Sequence, residues 1–536
     1  MKNIALILLL NLVCFNFQVF GQIDDPLKEG IEKIIVQIDS GETSYRGSNF
    51  ISPEELIRFY QERQHSPAWW WNGSLMAQAS EGLNLIASAY SDGLDPNDYH
   101  YQKLTVLNEV AKKKPSQRNK LEFEILLTDG LLTYMRHLYN GKVNHNCPYV
   151  GWYAECKELE INYSSYLSDA ITHFSLAQQI TKLLPLNNGY IKLKKALSQY
   201  RQLNAILPIS IESLAENPII KDQLIENGDL SENHSKEPGA LSNAVISFKV
   251  RHGLEATDEV DNTMLAALNI KLDERINTIL ANMERWRWLP TQLEYKYVVV
   301  NIANFELDVI VNQSSVWNTK VVVGRPDRKT PVLSSDIFGV LLNPEWTVPP
   351  TILYEDILSL KGNIPSYLTK NHIEVLDYKG LVIPPNSLPW ATYINNISFP
   401  YILKQKAGDW NALGKIKFIM PNSYSVYLHD TPSKDLFSQK ERALSSGCIR
   451  VSNPFELAKL LFEMEQNPKE IMMGKIKNSG ETQSLYFKEP IKIHILYWTS
   501  WVDTKGRTCF RDDIYDIDKW LIKELKSTPE PYKSND

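Results

Sequence analysis

Residues 425–462 read SVYLHDTPSKDLFSQKERALSSGCIRVSNPFELAKLLF, and the alternation at the two ends of this stretch sets the kind of fold that carries the chemistry. Successive side chains of an extended strand point to opposite faces, so Ser425, Tyr427 and His429 share one face while Val426 and Leu428 bury the other. The same parity sets Cys448 and Arg450 against Ile449 and Val451. Two such strands can meet across a sheet with a histidine and a cysteine on their polar faces. Asn453-Pro454-Phe455-Glu456 follows at once as a capped helix start, which would hold the cysteine strand in place.

A thiol of ordinary acidity, with a pKa of about 8.5, is mostly protonated at neutral pH and needs a neighbouring base or positive charge to act as a nucleophile. His429 can supply the base. Glycine at 447 lets the backbone approach a substrate closely and can free the amides of Gly447 and Cys448 to face a developing oxyanion. Spacing alone, however, favours plainer readings: an inert buried thiol and a satisfied structural histidine.

Upstream of this segment the pattern is that of strands. Residues 297–302, 305–311 and 319–323 are rich in β-branched and aromatic side chains and separated by short polar links. Between 351 and 410 the pattern is irregular, with many prolines, glycines and aromatics; a stretch that long inside a compact domain is usually functional, such as a lid. Before Pro290, Leu272, Ile276, Ile279, Met283 and Trp286 keep one helical stripe. Residues 241–269 form a compact unit in which Leu241, Ala244, Val245 and Phe248 share a helix face, Gly253 ends that helix and Asn262 caps the next.

From 23 to 220 helical periodicity dominates, with helices expected over 75–90 and 121–139 and a start at Ser52-Pro53-Glu54-Glu55, where serine caps and a glutamate reciprocates. Trp69-Trp70-Trp71 reads as core or interdomain packing, with a sugar-stacking platform as the alternative. At the N-terminus, Lys2 precedes an apolar run over 4–20 that ends at Gly21-Gln22, the pattern of a secretory signal peptide cleaved near Gly21. The run is short and mixed for a span needing about 20 apolar residues, so no stable membrane span is expected after cleavage. Cys14 follows Val13, where a lipid-modified cysteine would follow a small residue.

Export would permit disulfides. Cys147 and Cys156 lie close in HNCPYVGWYAEC (145–156) and read as a local bridge or two free thiols; with only His145 beside them, the metal reading is weaker. With 536 residues, the chain exceeds one ordinary core and suggests about two to four domains. A net charge of −6 offers no global attraction to nucleic acid or anionic lipid, and neither is expected as main partner.

HDTP (429–432), SSGCIRV (445–451) and the intervening SKDLFSQKERAL (433–444) resemble the catalytic signature of the L,D-transpeptidases. More specifically, the chain resembles their large, lidded subfamily with a helical scaffold and a peptidoglycan-binding module. That likeness extends through AYSDGLDPNDYH (89–100), LLTDGLLTYMRHLYNGKV (126–143), FKVRHGLEATDEVDNTMLAALN (248–269) and ERWRWLP (284–290). It continues through VVVGRPDRKTPVLSSDIFGVLLNPEWTVPPTI (321–352), NALGKIKFIMPNSYSVYLHDTP (411–432) and YWTSWVDTKGRTCFRDDIYDID (497–518). One departure is Ser446, where many members carry histidine; the lidded subfamily accepts serine.

The resemblance implies a multidomain α+β chain. Its parts are a signal peptide (1–21), a helical scaffold domain (22–220), a small three-helix peptidoglycan-binding module (221–270), a connecting helix (271–290) and a mostly β catalytic domain (291–536) with an inserted lid (about 355–408) and a C-terminal extension. Cys448 is implied as nucleophile and His429 as base, with Tyr427 and the Gly447 and Cys448 amides at the oxyanion. Arg450, Ser446 and Trp346 would position substrate or brace the pocket; Arg442 and Arg450 are equally readable as structural salt-bridge residues. The implied partners are peptidoglycan stem peptides and glycan in the periplasm or cell envelope, with no metal or organic cofactor. The implied reaction is acyl transfer from a tetrapeptide stem to an amine, giving a 3→3 cross-link. Transfer to water (a carboxypeptidase) or to a protein lysine (an anchor) uses the same site, and a non-enzymatic wall-binding scaffold is the alternative of another class.

Overall fold

The computed structural model describes residues 26–144, 151–157, 161–203, 218–235, 237–360, 363–394 and 398–531. The expected signal peptide, Cys14, His145 and Cys147 lie outside them. Cys156 carries a free thiol. No helix among the described residues is long and apolar enough to cross a membrane. The chain divides into two compact units, one helical and one mostly β, and is multidomain α+β as expected.

The first unit comprises Met1–Lys142, Leu159–Leu184 and Ser527–Asp536. It holds helices α1 (Pro26–Asp39), α2 (Pro53–Glu62), α3 (Ala77–Ser88), α4 (Tyr101–Ala111), α5 (Gln117–Asn140), α6 (Tyr163–Thr172) and α7 (Leu176–Thr181). Two small ladders accompany them, β1 (Ser44–Tyr45) with β2 (Ser48–Asn49) and β3 (Trp70–Trp71) with β4 (Ser74–Leu75). Helix α5 is buried on every side from Glu122 to Tyr139, so its polar residues must be satisfied internally. Asp129 accepts from the amides of Ile51 and Ser52 and pairs with His100 Nε2 at 2.7 Å. Glu124 accepts from the amides of Ala68 and Trp69 and from the Tyr60 hydroxyl.

These demands override the local helix signals. Ser52 makes no side-chain cap; its hydroxyl pairs instead with Thr133 Oγ1 at 2.8 Å. In the tryptophan run, Trp69 and Trp70 are core, while Trp71 is 66% exposed.

The second unit comprises Val143–Glu158 and Pro185–Lys526. It begins with strand β5 (Trp152–Tyr153) and helix α8 (Asn188–Tyr200). Helices α9 (Pro218–Glu226), α10 (Ala240–Arg251) and α11 (Asn262–Leu268) then enclose a small core of Leu224, Ala244, Val245, Phe248, Met264 and Leu268. Leu241, expected on that face, is exposed, and the cap of α11 is Asp261, whose carboxylate accepts from the Met264 amide. Helix α12 (Leu272–Trp288) follows.

The main sheet contains β6 (Lys296–Asn301), β7 (Glu306–Val311), β8 (Ser314–Gly324) and β9 (Val332–Leu342). An insert carries its own sheet of β10 (Trp346–Thr347), β11 (Ile373–Leu376), β12 (Val382–Ile383) and β13 (Ile402–Gln405), with helices α13 (Ile364–Lys370) and α14 (Trp390–Ile394). Its core gathers Ile357, Leu358, Ile364, Leu368, Val375 and Leu403. The stretch that looks irregular in sequence is therefore a folded subdomain whose strands are too short to show a period.

The main sheet resumes with β14 (Ile416–Ile419), β15 (Leu428–His429), β16 (Ala443–Ser445), β17 (Ile449–Val451) and β18 (Gln483–Leu496). Its order is β14-β15-β17-β8-β7-β6-β18-β9-β5, and because β14 also pairs with β9 the ladder closes on itself. Helices α15 (Pro454–Glu463) and α16 (Glu470–Ser479), the hairpin β19 (Ser500–Val502) and β20 (Thr508–Phe510), and α17 (Ile517–Lys526) complete the unit.

Candidate functional site

Three adjacent strands build the site. Lys417 on β14 lies across from His429 on β15, and His429 lies beside Arg450 on β17. Register partners face the same way, so Lys417, His429 and Arg450 form a row across the sheet. Tyr427 and Cys448, each two residues before a member of that row, share its face. The Ile449 amide donates to Tyr427 O at 3.0 Å and fixes this register. The opposite face is apolar: Ile416, Phe418, Leu428, Ile449 and Val451 are fully buried.

His429 is 5% exposed, and its Nδ1 lies 2.5 Å from the carbonyl oxygen of Asp430. A carbonyl only accepts, so Nδ1 bears the proton and a neutral imidazole keeps its lone pair on Nε2. Burial first, then the Arg450 charge, pushes the imidazole pKa down to about 3. The Asp430 carboxylate is committed elsewhere, accepting from the Lys415 amide and from Lys434 Nζ. Gly414 makes room for it, since a Cβ there would lie 2.4 Å from that carboxylate.

Cys448 is half-buried, with Sγ 3.7 Å from the carbonyl oxygen of Ser425. Ser425 holds the left-handed φ of 54°, an uncommon conformation for serine and one that clusters at functional sites. Burial raises the thiol pKa, opposed by hydrogen bonds from Tyr427 and by the charges of Lys417 and Arg450. Thiol and imidazole are thus both neutral at rest. The Tyr427 hydroxyl interacts with the Cys448 thiol and with Trp346, and its own pKa is raised, chiefly by burial. Lys417 Nζ stands 3.7 Å from the Tyr427 ring centroid, a cation–π contact.

The turn before Cys448 is braced by hydrogen bonds. Gly447 has φ 113°, a conformation L side chains rarely adopt, although a Cβ would find space. Its carbonyl accepts from Thr330 Oγ1, and the Thr330 amide donates to Tyr515 Oη. The Gly447 amide donates to Ser445 Oγ at 3.1 Å. That engagement occupies one of the two amides that the resemblance assigns to the oxyanion.

Among the other candidates, Ser446 is exposed, and its hydroxyl accepts from Arg328 Nη1 at 3.1 Å. Trp346 opens the insert's sheet and reaches Tyr427. Arg442 is committed to the fold: its guanidinium donates to the carbonyls of Val321, Gln439 and Phe305 and braces them. Among the described residues neither candidate arginine forms an ion pair with a carboxylate; Arg442 donates to backbone carbonyls instead.

Lys417 and Arg328 are the residues that sequence reasoning missed. The alternation of KIKFI (415–419) marks a strand with a lysine face, but nothing local says that this strand lies beside His429. Arg328, in the β8–β9 connection, pairs with Glu355 and Asp356 as well as with Ser446.

Residues 295–487 match the family model described as an L,D-transpeptidase catalytic domain, and residues 54–197 match one described as a scaffold domain. A Haemophilus influenzae protein named "Putative L,D-transpeptidase" is 35% identical over 467 residues, covering 87% of this chain and 78% of that protein. With that likeness along most of its length and a catalytic-domain match that spans the cysteine–histidine face, the chain belongs to the L,D-transpeptidase family.

Proposed function

We propose that this protein is an exported L,D-transpeptidase that forms 3→3 peptidoglycan cross-links through a Cys448 thioester. The observation that carries this reading is the shared face of Cys448 and His429, with the imidazole anchored through Nδ1 and its Nε2 left as a base. His429 Nε2 takes the thiol proton as Sγ bonds to the carbonyl carbon of the third residue of a tetrapeptide stem. The resulting oxyanion is held by the Cys448 amide and the Tyr427 hydroxyl. When the C–N bond breaks, His429 returns the proton to the departing D-alanine amine, leaving the thioester. An amine of a second stem gives its proton to His429 and attacks the thioester; the C–S bond breaks and the sulfur recovers that proton.

The thioester would serve water or a protein lysine equally well, and the insert over 346–405 is proposed as the lid that favours an amine by excluding water. The α9–α11 unit is proposed as a module that holds the enzyme on the wall. Incubating the purified full chain with defined tetrapeptide muropeptides and identifying products by mass tests the reading. Cross-linked dimer is expected, tripeptide monomer would make it a carboxypeptidase, and unchanged substrate would reject the enzyme.

A further inference from the structure

The row that contains His429 has a lysine on one side and an arginine on the other. No carboxylate among the described residues forms an ion pair with either, although a Cys448 thiolate would favour their protonated forms. Arg450 Nε is buried without a hydrogen-bond partner, and Lys417 Nζ rests against the Tyr427 ring. Asp430, next to His429 in the chain, spends its carboxylate on the Lys415 amide and on Lys434 Nζ. Partly buried cations without counter-ions are costly. Two of them converging on a nucleophile face imply that the missing anion arrives with the ligand.

We propose that Lys417 and Arg450 form a carboxylate-binding pair on either side of His429 that receives a carboxylate of the donor stem peptide. The proposal rests on the acyl-transfer reading above and adds the feature by which the donor is chosen. A stem peptide offers two such groups near the scissile bond, the terminal carboxylate of the leaving residue and the side-chain carboxylate of a diamino acid. Bound between the two cations, it would anchor the peptide beside Cys448. It would also neutralise charge that otherwise opposes formation of the imidazolium, so binding and activation of the base are coupled.

The test uses the full-length protein and one donor tetrapeptide in three forms: free acid, terminal carboxamide, and side-chain carboxamide. Wild type is expected to prefer the free acid over one of the amides by about tenfold or more in kcat/KM, the worth of a charged hydrogen bond; the disfavoured amide identifies the carboxylate. Lys417→Met is expected to collapse that preference and Lys417→Arg to restore it. Equal losses on acid and amide peptides would overturn the proposal, because the lysine would then act on the thiol alone.

A second measurement needs no peptide. Alkylation of Cys448 by anionic iodoacetate relative to neutral iodoacetamide, followed by peptide mapping, should fall several-fold in Lys417→Met and in Arg450→Met. An unchanged ratio overturns the anion site. A falling ratio in a protein that turns over no stem peptide keeps the anion site and rejects the acyl-transfer reading instead.

Discussion

At the scale of single residues, the proposed reaction starts from two neutral groups, the Cys448 thiol and the His429 imidazole, that would exchange a proton only when substrate arrives. Cys448→Ala and Cys448→Ser are both expected to fold and to lose at least about a thousandfold in turnover, because serine ionises far less readily than a thiol. Cys509→Ser should stay active, since Cys509 is buried in β20 with its pKa pushed up to about 11 by burial. A carbapenem should add to Cys448, as intact mass and peptide mapping would show. An adduct on Cys509, or full activity in Cys448→Ala, would reject the nucleophile. A pH profile tests the base. Protonating His429 abolishes it, and its pKa sits near 3, so kcat/KM should show no inflection at an ordinary histidine value of about 6.5. Arg450→Met removes the second cause of that depression, after burial, and should move the acid limb to higher pH. A wild-type inflection near 6.5 would mean that the imidazole is solvated.

Whole elements set the conditions in which those residues work. The insert is tied to the cysteine loop through Arg328, which holds Glu355 and Asp356 at its base and Ser446 two residues from Cys448. Arg328→Ala should speed amide exchange over 352–360 and raise hydrolysis relative to cross-linking; an unchanged product ratio would deny the lid this role. The α9–α11 unit is also joined to its neighbours. Arg251 is 1% exposed, pairs with Asp229 and donates to the Thr508 carbonyl in β20. Breaking such a pair leaves a buried charge behind, so Arg251→Met should cost about 3 to 5 kcal/mol in denaturant unfolding. This packing alters how the proposed wall-binding role is tested, because deleting 241–269 would strip Phe510 and Arg511 of partners. Surface substitutions on α10 and α11, read out by binding to isolated sacculi, avoid that damage.

Over the whole molecule, the catalytic unit is not continuous in sequence. The segment Val143–Glu158 lies between two stretches of the helical unit, yet its strand β5 pairs with β9 and Trp152 packs edge-on against Trp288. A fragment comprising residues 185–526 should therefore be less stable than the same unit in the full chain. Trp152→Ala in the full chain should lose about 3 to 5 kcal/mol by emptying a buried aromatic site; equal thermal stability of fragment and full chain would refute this. The sequence by itself singled out Cys448 and His429 as the candidate nucleophile and base, because HDTP and SSGCIRV are short local signatures of the family, and the alternation beside them is read within a few residues. It also determined the long helices, whose periodicity repeats often enough to be read. Only the tertiary structure decided that Lys417 stands beside His429, that Arg442 is a brace, that the Gly447 amide is taken by Ser445 and that β5 belongs to the catalytic unit. Each of those depends on which strands become neighbours and which buried polar group claims which partner. Such long-range pairing of backbone and charge carries no period along the chain.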